Sequence, residues 1–172
     1  ADVKTDRGWV IEFQHSYIKP EERHSRESFY KKLIWVADGA RRKRDRDQFS
    51  KALNSGSPVK AYPHMRRIFA NECVLLREWL SSASRVFFDF REGGRIWWML
   101  NKGVGKPVYV MPYPSIQFIN DHLGQTDQFD ELERLAEDLA VNTERLQAQS
   151  RSDPLQSFQR NVGRRNFRQR RL

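Results

Sequence analysis

Three oxygen-bearing side chains near the start of the chain have the types and spacing for metal chemistry: Asp2, Glu12 and Gln14. Asp6-Arg7-Gly8 reads as a three-residue hairpin loop, with Gly8 able to take a positive φ. Pairing Thr5 with Trp9 then sets Lys4 against Val10 and Asp2 against Glu12. Directly opposed residues share a face with Cβ atoms about 5 Å apart, and Gln14, two residues beyond Glu12, shares it too. Two carboxylates and an amide on one face suit a hard cation such as Mg²⁺ or Mn²⁺. The backbone carbonyl of Phe13 can complete such a shell. The side chains of Ile11 and Phe13 are expected to point the other way, toward a core. The plainer reading of the same alternation is a polar stripe turned to solvent.

The elements around this hairpin follow from pattern. Lys19-Pro20-Glu21-Glu22 reads as a helix start, with proline in the first turn and acids at the positive end of the dipole, and the helix is expected to run to about Lys31. Leu33-Ile34-Trp35-Val36 before Asp38-Gly39 reads as a buried strand. Ala40 to Leu53 is expected to be a basic helix, and Asn54-Ser55-Gly56-Ser57-Pro58 ends it. Phe69, Cys73, Leu76 and Leu80 have helical spacing and predict an amphipathic helix over Arg66 to Leu80. Strands are expected at Arg85–Phe90, Arg95–Leu100 and Val108–Met111, the first two joined across Arg91-Glu92-Gly93-Gly94. A short helix from Ser115 to His122 follows, and then a long amphipathic one from Asp127 to about Gln149.

Ala1-Asp2-Val3, Ile11-Glu12-Phe13-Gln14-His15-Ser16, Phe29-Tyr30 and Leu33-Ile34-Trp35-Val36-Ala37-Asp38-Gly39 together resemble the competence protein CoiA-like nucleases, within the PD-(D/E)xK superfamily. The resemblance is strongest over about the first forty residues and continues more weakly through Arg85–Phe90 and Val108-Tyr109-Val110. It implies an α/β restriction-endonuclease-like mixed sheet flanked by helices. It also implies a metal-dependent DNA nuclease in which Asp2 and Glu12 bind the metal and Gln14 stands where the superfamily has lysine. Gln14 carries no charge, so orienting water or a phosphate is the role open to it. The superfamily places a helix and a strand before the first acid, so an N-terminal segment of the core is expected to be missing from this chain, or to come from a partner.

Over 172 residues the organisation expected is a nuclease-like domain at 1–124, an amphipathic helix at 125–150 and a basic tail at 151–172. The net charge of +9 favours a polyanionic partner, DNA first. Candidate DNA contacts are Arg26 and Tyr30, one helical turn apart, the run Arg41, Arg42, Lys43 and Arg44, and Arg164, Arg165 and Arg168 in the tail. Each also has a plainer reading: Arg26 paired to a carboxylate, Tyr30 partly buried, the charge run a solvated face. His15 and Asp38 are weaker candidates, the second better suited to a turn. His24, His64 and His122 are scattered at spacings that suggest no zinc site. The single cysteine, Cys73, reads as a buried filler and fits a cytoplasmic setting. No apolar run approaches membrane-spanning length. The 127–149 helix packs on its own chain or forms a homo-oligomer or partner seam. The alternative function is a catalytically inactive DNA-binding or assembly module on the same fold. An RNA-binding accessory protein is a third, resting on charge alone.

Overall fold

The computed structural model describes residues 2–100, 102, 107–124 and 129–152. The predicted tail contacts Arg164, Arg165 and Arg168 lie outside them. Two compact units are delimited, Ala1–Ala136 and Glu137–Leu172. The first is a mixed α/β unit built on one eight-stranded sheet. Its elements are β1 (Val3–Lys4), β2 (Val10–Gln14), α1 (Pro20–Phe29), β3 (Leu33–Asp38), α2 (Asp45–Ser55), β4 (Ser57–Val59), β5 (Tyr62–Ile68), α3 (Val74–Trp79), β6 (Arg85–Asp89), β7 (Arg95–Leu100), β8 (Val108–Pro114), α4 (Ser115–His122) and the start of α5 (Phe129–Ser152). The described part of the second unit is the continuation of α5, where the Thr143 hydroxyl donates to the Leu139 carbonyl at 2.8 Å.

Strand order is β1-β2-β3-β6-β7-β8-β5-β4. β2, β3 and β6 run parallel, with Glu12 beside Trp35 and Trp35 beside Val86. The remaining pairings are antiparallel. The β1–β2 hairpin has the register read from the sequence: Lys4 pairs Val10 and Val3 pairs Ile11. The Thr5 N–H donates to the Trp9 carbonyl at 2.9 Å, and Gly8 takes φ 77°.

The sheet buries both faces. On one, Val10, Leu33, Trp35, Val86 and Phe88 join Phe49 of α2 and Leu75, Leu76 and Trp79 of the α3 region in one core. Trp35 and Trp79 lie 5.5 Å apart between ring centres. On the other, Phe87 stacks on Trp98 at 5.4 Å and meets Phe118 of α4 at 4.9 Å, and Trp98 meets Phe129 of α5 at 5.1 Å edge-on. Such aromatic pairs add specific geometry to the area they bury. Arg85 enters this second layer, ion-paired to Asp130 and Glu133 and flanked by the rings of Trp9 and Phe129.

Several expectations are corrected. Arg66 to Leu80 is not one helix: β5 ends at Ile68, and the helix is the single turn and a half of α3. The helical spacing is partly fortuitous, since Phe69 is exposed while Ile68, Cys73 and Leu76 are buried. The basic run Arg41–Arg44 precedes α2 rather than opening it. The helix begins at Asp45, whose buried carboxylate accepts from Arg42, and Asp45 and Asp47 occupy the positive end of its dipole. The Phe13 side chain is 43 % exposed, not core-facing. The aromatic layer on its face lies over β6–β8, and β2 has only the two-residue strand β1 outside it.

Candidate functional site

Three parallel strands end side by side at one edge of the sheet. β2 ends at Gln14, β3 at Asp38 and β6 at Asp89, in adjacent registers. A cleft of about 210 Å³ opens there, lined by Gln14, Ser16, Tyr17, Asp38, Arg41 and Glu78 among others. In open α/β sheets this edge, outside the strands' carboxyl ends, is where ligands bind.

The hairpin carries one predicted carboxylate on each arm, Asp2 exposed and Glu12 buried. Asp2 directly precedes β1, whose pairs with β2 are Val3–Ile11 and Lys4–Val10. Its Oδ2 accepts the Phe13 N–H at 2.7 Å, which ties the acid to the strand that carries the second one. Glu12 lies on the sheet face that carries Trp35 and Val86 and is 5 % exposed. A carboxylate that deep needs a partner, and Arg26, near the end of α1, supplies one: its Nη1 donates to Glu12 Oε2 and its Nη2 to Glu22 Oε1 at 2.5 Å. Burial pushes the Arg26 guanidinium down, and the hydrogen bonds and charges of Glu12 and Glu22 outweigh it, so its pKa lies above the ordinary value. Gln14 Nε2 donates to the Ser16 carbonyl at 2.8 Å and to its hydroxyl at 3.2 Å. That orientation fixes which end of the amide is nitrogen and leaves its oxygen as an acceptor.

Asp38 makes a second small cluster. Its Oδ1 accepts the Ala40 N–H at 2.9 Å, the turn role read from the sequence, and its Oδ2 accepts from Arg91 Nη2 at 2.6 Å. His15 Nδ1 stands 3.8 Å from the same oxygen, with its side chain largely exposed. Arg91 holds φ 57°, a region non-glycine residues seldom adopt, and its own N–H donates to Asp89 Oδ1 at 2.7 Å. The sequence signal for this cluster lies in its strand ends. Two strands that each end in Asp, Leu33–Asp38 and Arg85–Asp89, bring those ends to one edge once they are parallel.

The predicted DNA contacts divide. Arg41 and Arg42 both donate to Glu78, at 2.8 and 2.7 Å, and Arg42 also grips Asp45 at 2.8 Å. Burial pushes Arg42 down and hydrogen bonds to Asp45 and Glu78 more than offset it, so its pKa is raised. Lys43 and Arg44 are exposed. Tyr30 is half-buried, packs against the main core and meets Phe29 edge-on at 4.8 Å. Among the described residues no three His, Cys, Asp or Glu side chains gather as a metal-binding group. Nor is any described helix long and apolar enough to cross a membrane. Comparison with family models, curated proteins and solved structures found no match to this chain.

Proposed function

We propose that the chain is a metal-dependent DNA nuclease on a restriction-endonuclease-like scaffold, hydrolysing phosphodiester bonds with Mg²⁺ or Mn²⁺ at Asp2, Glu12 and Gln14. The observation that carries this reading is the hydrogen bond from the Phe13 N–H to Asp2 Oδ2, next to Glu12 on a strand joined through α1 to its parallel neighbour β3. That hairpin, helix and parallel strand are the elements the CoiA-like resemblance calls for. A cytoplasmic setting, and a partner or second copy on the 127–149 helix, belong to the same proposal.

The donor set fits a hard cation, being carboxylate and amide oxygen throughout. Asp2 and Glu12 would hold the metal, with the Phe13 carbonyl beside them. A bound divalent ion would acidify a water and offset charge developing on the phosphate. The chain's own residues do the rest. The Phe13 N–H orients Asp2. Ser16 fixes the Gln14 amide so that its oxygen can accept from a water. Arg26 pairs with the Glu12 carboxylate until a cation competes for it.

The Arg26–Glu12 pair also supports a second reading. A guanidinium on a buried carboxylate is a complete, neutral arrangement, as expected of an inactive DNA-binding or assembly module that keeps the fold. Titration calorimetry with Mn²⁺ separates the two. The nuclease reading expects binding that Glu12→Ala abolishes. Binding that is absent, or indifferent to Glu12→Ala, sets that reading aside.

A further inference from the structure

The amino end of β2 carries a second concavity, opposite the end that holds Gln14. The Val10 N–H donates to the Lys32 carbonyl at 2.8 Å there, and the hairpin and the end of α1 wall a groove of about 600 Å³. Lys4, Arg7, Lys31 and Lys32 line it together with Phe29 and Tyr30, and among the described residues no carboxylate does. Lys4, Arg7, Lys31 and Lys32 are all exposed. The positive potential of four cations around one hollow outweighs the negative end of the α1 dipole nearby. Phe29 is 78 % exposed, a large apolar ring left in water. Tyr30 holds it edge-on from beneath. Lys32 is set in place by the Trp9 ring, with its Nζ 5.8 Å from the ring centre, and by the Arg7 carbonyl at 3.3 Å.

We infer that this groove binds single-stranded DNA, the four cations following consecutive phosphates while an unpaired base stacks on Phe29. Basic grooves with aromatic platforms hold single strands in this way, because every base has a π-face and the backbone charge is uniform. A duplex buries its base faces in its own stack and leaves Phe29 nothing to cover. Along β2, Val10 and Gln14 are about 13 Å apart at the usual strand rise. A single strand held in the groove therefore starts close to the candidate site on the same β2. The inference rests on the DNA-acting reading for its biological use. Its test is run without metal, so that failure of the groove and failure of the nuclease are told apart.

Binding of the full chain to a fluorescent thymidine strand of about twelve nucleotides, and to a duplex of that length, is measured by anisotropy in EDTA between about 50 and 200 mM salt. Removing two phosphate contacts with Lys4→Ala plus Lys31→Ala is expected to reduce the slope of log K against log salt by about 1.4 for the single strand. Phe29→Ala is expected to weaken single-strand binding about 5- to 150-fold and leave duplex binding unchanged. All three side chains are exposed, and unchanged circular dichroism verifies the fold of each variant. An unaltered slope overturns the groove. An equal loss for duplex and single strand in Phe29→Ala overturns the stacking, and tighter binding of RNA than of DNA overturns the strand type. A chain that binds as expected here but never cuts with Mg²⁺ supports the groove and rejects the nuclease alone.

Discussion

Removing Arg26 exposes the tension at the centre of the site. The Glu12 side chain is 6 % exposed and the Arg26 side chain 39 %. Breaking a fully buried ion pair from one side costs about 3 to 5 kcal/mol, because the remaining charge keeps its desolvation penalty. Arg26 is more than a third in water, and exposed pairs contribute far less, so Arg26→Ala is expected to cost about 1.5 to 3 kcal/mol. For a unit of this size that lowers the melting temperature by roughly 4 to 10 °C. Adding Glu12→Gln to Arg26→Ala removes the stranded charge and should recover more than about 1 kcal/mol, a non-additivity expected of contacting residues. The same cation vacancy should make the single variant responsive to metal. A ligand that binds only the folded form stabilises by about 2.7 kcal/mol at a hundred times its dissociation constant, so Mn²⁺ should restore the lost stability of Arg26→Ala and not that of the double variant. Urea titrations of the parent, both single variants and the double, with and without Mn²⁺, measure all of this. Stability of Arg26→Ala within about 0.5 kcal/mol of the parent would refute the reasoning, since the pair would then hold nothing.

Three further outcomes are expected. Cys73 is fully buried and burial pushes its thiol up, outweighing the backbone N–H groups of Leu76 and Leu75 that lower it, so a thiol reagent should label it only at the rate of unfolding; rapid labelling of the native chain would contradict its placement. Lys102 is pushed down by burial, against the raising charges of Glu133 and Glu27. The unfolded chain therefore binds that proton more tightly, and stability rises with pH as it passes from the depressed value to the ordinary lysine range. Lys102→Met should be more stable than the parent at neutral pH by a margin that vanishes above that range, and a margin independent of pH would contradict the assignment. A Cβ on Gly56 would lie 2.4 Å from Ile68 Cγ2 and 2.8 Å from the Arg67 carbonyl. Backbone cannot swing aside as a side chain does, so Gly56→Ala should cost about 1 to 3 kcal/mol in denaturant titration.

Legibility in the sequence tracked the range of the interactions. The hairpin register was readable because a three-residue loop with Gly8 admits few pairings, and Lys4 does pair with Val10 and Val3 with Ile11. α1, β3, β6 and β7 were readable from proline, acids and apolar runs. What lay beyond was tertiary. β4 and β5 alternate poorly, with Tyr62, Pro63 and His64 exposed and only Met65 and Ile68 fully buried, and β5 is defined by pairing to the distant β8. The buried state of Glu12 was invisible because period-two alternation says which face a residue takes and not what covers it. Here α1 covers it and provides Arg26. The ion pairs of Arg41 and Arg42 with Glu78 join residues far apart in the chain, so a basic run that looked available is half consumed internally.

DNA cleavage tests most directly whether Asp2 and Glu12 form a working metal site. Single- and double-stranded DNA should be incubated with the chain and with its Glu12→Ala variant, in Mg²⁺ or Mn²⁺ and in EDTA. Cutting by the parent that disappears both in EDTA and in the Glu12→Ala variant is the predicted result. Metal-dependent cutting that persists undiminished in Glu12→Ala, or no cutting by the parent under any of these conditions, would contradict it.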